Sequence, residues 1–367
     1  MSDLYETDYF TSLSQEFRRR AARALAGKLS PASASLRRYL VEHGNYEPGE
    51  PGAFLADPVF EATFPWVAGP ERLAEMAGTR LHPDLVRAMD MASSEQRLSR
   101  DTSPYLHQVQ AWDALQQGKS IVVTSGTSSG KTECYLLPIL DQLIRDSERQ
   151  ALTGVRALFL YPLNALINSQ RDRMSQWSRP FRGRVRFCLY NGETPEDVPE
   201  HEMTAHSEEV RSRTQLRDDP PPILVTNATM LEYMLVRLED QAILSASRGR
   251  LRWIVLDEAH TYLGSQAADV ALLLRRVLHA FAVRPEDVRF IATSATIRSG
   301  DGGKERLARY MADMTGLPVG QIEVISGRRA LPPLPDGYDG YSELLPEPLD
   351  ALAAADPQER FLQLAAV

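Results

Sequence analysis

Three short runs of residues could do chemistry. The first is Ser125-Gly126-Thr127-Ser128-Ser129-Gly130-Lys131-Thr132. Small residues let backbone N–H groups close around phosphate oxygens. Lys131 offers a cation for β- and γ-phosphates, and the Thr132 hydroxyl suits a divalent metal. A helix starting at Lys131 adds the partial positive charge of its N-terminus. The second run is Trp253-Ile-Val-Leu-Asp257-Glu258-Ala259-His260, an apolar stretch ending in two adjacent acids. Asp257 there can hold Mg²⁺ through water, and Glu258 can orient and deprotonate an attacking water. The third, Ser294-Ala295-Thr296, matters only through its position at the end of another apolar run. Together these groups suit phosphoryl transfer to water, which needs positioning and charge neutralisation more than covalent help.

Such groups act together only if rigid elements present them side by side. From Tyr105 onward, apolar or β-branched runs at Ser120–Thr124, Arg156–Tyr161, Val185–Tyr190, Ile223–Thr226, Trp253–Asp257 and Val288–Ser294 predict strands. Helical patterns intervene at Lys131–Arg145, Ala165–Trp177, Met230–Leu238 and Gln266–Ala282. Buried strands alternating with amphipathic helices predict a doubly wound parallel sheet, with ligand groups in the loops just after the strands. Residues 1–100 read as a mainly helical accessory region, with Phe17, Ala21, Ala24 and Leu25 at helical spacing. Pro58, Phe60, Phe64, Pro65 and Trp66 form an aromatic knot, read as core packing between lobes. The polar, acidic stretch Glu193–Pro222 reads as a mobile surface insertion; its His201 and His206 are given no role. Residues 301–367 read as a helix, a weak strand at Ile322–Ile325 and a Pro/Gly-rich linker.

Composition narrows the field further. The chain of 367 residues is 43% hydrophobic and 25% charged, which excludes disorder or a fibre as a description of the whole. Its net charge of −8 means that any polyanion contact depends on local groups. Only four of its 41 cations are Lys (Lys28, Lys119, Lys131 and Lys304), so a Lys at the phosphate loop stands out. Two cysteines cannot build a disulfide framework or a four-thiolate zinc site. No run approaches the roughly 18 apolar residues of a membrane span, and the N-terminus lacks the order of a signal peptide. The expectation is a soluble, cytoplasmic chain with no membrane partner.

With these runs in order, the chain resembles the first motor lobe of a superfamily 2 DEAD/DEAH-box helicase over roughly residues 100–300. Ser125–Thr132 is similar to helicase motif I, with Ser125 in place of the leading Gly and Ser128 where many members have Gly. Asp257-Glu-Ala-His260 is similar to motif II and Ser294-Ala-Thr296 to motif III, which couples the nucleotide site to the strand groove. In motif II, His260 takes the family's bridging position toward motif III or the second lobe. Leu106-His-Gln108 resembles the Q motif, whose Gln reads adenine. Three further runs resemble the motifs that hold a phosphodiester backbone. They are Tyr161-Pro162-Leu-Asn164 with Gln170, Tyr190-Asn-Gly192, and Thr226-Asn227.

The resemblance implies an α/β, RecA-like P-loop NTPase lobe at 101–300, with a parallel sheet flanked by helices. It implies ATP on Gln108, Thr127, Ser128, Ser129, Gly130, Lys131 and Thr132, and Mg²⁺ on Thr132 and Asp257. The run Asp257–Gly264 further resembles a bacterial DNA-helicase branch. That branch holds Hrq-type and Lhr-like repair helicases and the large helicases of phage-defence systems such as Druantia and DISARM. DNA, single-stranded or partly duplex, is therefore favoured over RNA, with defence-system subunits as possible partners.

The family also requires a second RecA-like lobe carrying an arginine finger, usually in a Q/H-R-x-G-R-x-G-R run. None follows Thr296. The chain is expected to be the N-terminal part of a longer polypeptide, with a linker starting near Ser326, and to hydrolyse ATP negligibly alone. Three functions stay open at this stage: an ATP-driven helicase or translocase, a motor that pumps duplex without separating it, and a scaffold that uses ATP only to regulate a contact.

Overall fold

A computed structural model describes residues 16–21, 23–24, 27–28, 32–43, 64–126, 129–262, 264–294 and 303–331. Thr127, Ser128, Thr296, Pro58 and Phe60 lie outside the described residues. Two units are distinguished: Pro65–Ala330, and the terminal segments Met1–Phe64 with Leu331–Val367, which include the helix Ala34–His43. The first unit carries the chemistry.

Its centre is an eight-stranded sheet in the order β4-β3-β5-β2-β6-β7-β1-β8. The strands are β1 (Ser120–Thr124), β2 (Ala157–Leu160), β3 (Phe187–Tyr190), β4 (Glu209–Val210), β5 (Ile223–Thr226), β6 (Trp253–Leu256), β7 (Arg289–Ser294) and β8 (Ile322–Ser326). Every strand pairing is parallel. Side chains alternate between two apolar layers, as period-2 geometry requires. In β2, Ala157 and Phe159 enter one layer, and Leu158 and Leu160 the other. Helices α1 (Leu106–Gln116) and α2 (Lys131–Arg149) fill the first layer with Trp112, Tyr135, Leu137 and Ile144. Helices α3 (Ser265–Ala280) and α4 (Gly303–Thr315) fill the second with Leu274, Val277 and Met311. Burial on both faces is why the strands read as continuous apolar runs.

The unit reaches beyond 101–300 on both sides. Leu73, Met76, Leu85 and Met89 are fully buried in the first layer, so residues 65–100 share the core of the sheet. The predicted weak strand becomes β8, paired with β1 along its whole length. Two further expectations change. The stretch 193–222 is anchored: it supplies β4 and the helices Glu200–Ala205 and Arg213–Asp218. Its acids Glu208 and Glu209 are buried, taking hydrogen bonds from Ser175 at 2.6 Å and Arg171 at 2.9 Å. The predicted helix 165–177 divides at Gln170 into Asn164–Ser169 and Arg171–Ser178. Among the described residues, no helix is long and apolar enough to cross a membrane.

Candidate active site

The phosphate loop leaves the C-terminal end of β1 and turns into α2. Gly130 makes that turn with φ +70°, in the left-handed region that favours glycine. The turn is held from α1. The Gln108 carbonyl oxygen accepts from the Tyr105 N–H at 2.8 Å, and its amide donates to the Gly130 carbonyl at 3.0 Å. His107 Nε2 sits 2.8 Å from the Ser129 carbonyl, and burial holds its pKa below the ordinary histidine value. Ser125 and Ser129 hydroxyls meet at 2.6 Å, and Lys131 Nζ donates back to the Ser125 carbonyl at 3.2 Å. The loop is thus closed on itself by groups that a phosphate could take over. A Cβ on Gly130 would stand 2.2 Å from Gln108 Nε2. Gly130→Ala is therefore expected to destabilise the fold by about 1–2 kcal/mol from the left-handed backbone alone. It should also cut nucleotide affinity, as read by thermal unfolding and titration with a fluorescent ATP analogue. An unchanged melting temperature and affinity would show that this turn is not what shapes the loop.

The acid pair follows β6, two strands from β1 across β7. Asp257 is deeply placed, and burial pushes its carboxyl above the ordinary range. A hydrogen bond from Thr293 and the nearby Lys131 charge oppose that rise. Thr293 Oγ1 also accepts from the Glu258 N–H at 3.1 Å, so one hydroxyl on β7 sets both acids. Glu258 adopts φ +51°, a left-handed conformation that costs a non-glycine residue about 1–3 kcal/mol. Its Oε2 is buried without a hydrogen-bond partner among the described residues. His260 Nδ1 lies 3.2 Å away but without the alignment of a hydrogen bond. Ser294 Oγ is likewise buried and unpartnered among the described residues. The tyrosines Tyr135 and Tyr161, joined hydroxyl to hydroxyl at 2.9 Å, back Asp257; burial and its charge push both phenols up.

The third set divides. Pro162, Asn164 and Asn227 line one cleft of about 520 Å³ with Thr261 and Gln266. Asn227 caps its helix by accepting from the Met230 N–H, and its amide donates to Asn164 at 2.8 Å. Gly192 is exposed after β3, and Gln170 sits at the break between two helices. Thr226 departs from the groove: it is fully buried, and its hydroxyl donates to the Tyr190 carbonyl at 2.7 Å.

Residues outside the predicted set complete the loop's surroundings. Trp66 packs against Gly126 and Gly327, and Arg329 lies 3.6 Å from its ring centroid. Val67 N–H donates to the Arg328 carbonyl and Ala330 N–H to the Pro65 carbonyl, so segments 65–67 and 328–330 bridge beside the loop. Trp66 therefore lies against the start of the phosphate loop at Gly126. Thr293, the polar residue just before the last residue of the apolar strand β7, is the signal in the sequence for the acid clamp.

The sequence profile of DEAD/DEAH box helicases matches residues 105–301, more than half of the chain. The chain belongs to the DEAD/DEAH box helicase family. It is 30% identical over 325 residues to the Druantia protein DruE of Escherichia coli, covering 62% of this chain and 18% of DruE. It is 30% identical over 220 residues to the uncharacterized ATP-dependent helicase YprA of Bacillus subtilis, covering 59% of this chain and 26% of YprA. Against the ATP-dependent helicase HRQ1 of Saccharomyces cerevisiae the identity is 28%, over 58% of this chain and 17% of HRQ1. The chain thus spans 17% to 26% of the length of these relatives. The solved DUF1998 helicase MrfA bound to DNA superposes with a TM-score of 0.51 at 25% identity, over 72% of this chain and 31% of MrfA. The DEAD-box helicase Mss116, bound to ssRNA and UDP-BeF, superposes with a TM-score of 0.54 at 13% identity, over 71% and 46%, and shares the fold.

Proposed function

We propose that the chain is the first motor lobe of an ATP-dependent DNA helicase or translocase. The observation that carries this reading is the convergence of three features on one edge of the sheet: the closed phosphate loop, the buried acid pair, and the Pro162–Asn164–Asn227 cleft. Lys131 leaves the Ser125 carbonyl for the β/γ-phosphates, and Gln108 divides its amide between Gly130 and the adenine. Glu258, set by its turn and by Thr293, receives the proton of the attacking water. The unpartnered Glu258 Oε2 and the desolvated Asp257 fit a hydrated cation, so Thr132 and Asp257 are the residues that would hold Mg²⁺. Mg²⁺, when bound, neutralises charge on the phosphates. His260, whose Nδ1 lies 3.2 Å from Glu258, and Ser294, whose hydroxyl lacks a hydrogen-bond partner among the described residues, are suited to pass the state of this site onward, with Thr296 beyond the described residues. The arginine finger falls to a second RecA-like lobe of the same longer polypeptide, a reading supported by the length of the relatives. The likeness to DruE supports a role in phage defence alongside other subunits, and the likeness to HRQ1 supports DNA repair.

The test is ATP turnover by the complete polypeptide with single-stranded DNA, duplex DNA and RNA, beside strand displacement. Stimulation by DNA with displacement is expected. Stimulation by duplex alone would identify a pump, stimulation by RNA alone would reassign the substrate, and turnover indifferent to all three would identify a scaffold. Binding rests on local contacts against a net charge of −8, so it should weaken steeply with salt. For about three phosphate contacts to a single strand, affinity should fall ~20-fold between roughly 50 and 200 mM salt. Salt-independent binding would remove the phosphate-tracking cleft from the argument.

A further inference from the structure

The sheet edge opposite the phosphate loop carries a pocket that this reaction does not use. Arg289 opens β7 directly across from Trp253, which opens β6, and its guanidinium lies 4.8 Å from the indole centroid. A cavity of about 270 Å³ adjoins them, walled by Trp112 and Leu115 and lined by Arg80, Arg145, Arg289 and the carboxylate of Asp141.

The three cations are not equivalent. Arg145 is gripped by both oxygens of Asp141, at 2.7 and 3.2 Å. Arg80 pairs with Asp113 and Glu71. Arg289 Nε is buried with no hydrogen-bond partner among the described residues. Burial holds its pKa below the ordinary arginine value, and the charged group acting on it is another cation, Arg252. Backbone hydrogen bonds of 2.8 Å link Arg289 to Arg252 and Arg252 to Arg156, so three arginines stand in a row where β2, β6 and β7 begin. In that row Arg156 pairs with Asp146 at 3.3 Å and Arg252 acts on Asp287, whereas Arg289 has no ion pair among the described residues. A half-buried cation whose Nε lacks a partner gains from a ligand that supplies a counter-charge.

We propose that this pocket binds a small oxyanion of the phosphate class, with the Arg289 guanidinium as its principal ligand. A guanidinium fork matches two phosphate oxygens at once. The cavity exceeds the ~30 Å³ share of one water many times over, leaving room for a body attached to the phosphate against Trp112 and Leu115. Free orthophosphate and the phosphate of a mononucleotide share this chemistry.

The test uses the chain carrying Lys131→Ala, which disables the phosphate loop as a competing oxyanion site. It is titrated calorimetrically with orthophosphate and, separately, with AMP. Binding of at least one at about 1 mM or tighter is expected, weakened about tenfold or more by Arg289→Gln and partly restored by Arg289→Lys. AMP binding far more tightly than orthophosphate assigns the site to a nucleotide-borne phosphate; equal affinity assigns it to free phosphate. A merely structural Arg289 would lower the melting temperature on replacement and leave the phosphate-induced upshift unchanged. If Arg289→Gln does not fold, phenylglyoxal modification of Arg289 in the Lys131→Ala chain, mapped by mass spectrometry, should slow when phosphate is present. Absence of binding by both probes, binding unchanged in Arg289→Gln, or absence of protection would overturn the proposal.

Discussion

Lys131→Ala is expected to lower ATP affinity roughly a hundredfold, the loss of a charged contact worth about 3 kcal/mol. The complete polypeptide should then lose turnover altogether. Lys131 Nζ donates to the Ser125 carbonyl and makes no ion pair among the described residues, so no ion pair there has to be broken when phosphates arrive. Lys119 is tied to Glu323 at 2.7 Å. Calorimetric titration of the chain with an ATP analogue decides the matter. Undiminished affinity would mean that the 125–132 loop is not the phosphate site.

Glu258→Gln should separate binding from chemistry. Glutamine keeps the shape of the side chain and can occupy the same left-handed turn, so ATP affinity should stay within a few-fold of the parent. Turnover by the complete polypeptide should fall about 10²–10⁴-fold, the usual cost of losing a general base. Single-turnover hydrolysis is the measurement that isolates this step. A variant that keeps more than about a tenth of the parent rate lies outside that range, and the proton would have to go elsewhere.

Much of this arrangement was legible in the sequence because its signals are local. Ser120–Thr124 and Ile223–Thr226 read as strands and are strands to the residue, since continuous apolar character survives burial on both faces. The Gly130-Lys131-Thr132 run marks a turn that only a few residues can make. What stayed hidden depends on register and long-range contact. β4 escapes sequence reading because Glu209 is an acid, and its burial depends on Arg171, Arg211 and the edge of β3. Thr226 was taken for a groove residue because its position after Val225 fits the motif; the pleat turns its hydroxyl to Tyr190 instead. Trp66 passed for core packing between lobes because nothing in the sequence brings Gly126 and Gly327 beneath the same ring. The arginine row at the far edge appears only once the alignment of β2, β6 and β7 is known.

The bridge between Trp66 and Arg329 has a mechanical consequence. The backbone leaving β8 pairs with Trp66, whose ring also lies against Gly126, so the strand exit and the start of the phosphate loop share one side chain. A cation–π contact is worth about 0.5–2 kcal/mol, enough to bias a two-position latch by roughly 2- to 30-fold. It is too weak to act as a lock. By reciprocity, a nucleotide that had to shift this contact would be bound more weakly by the free energy that the shift costs.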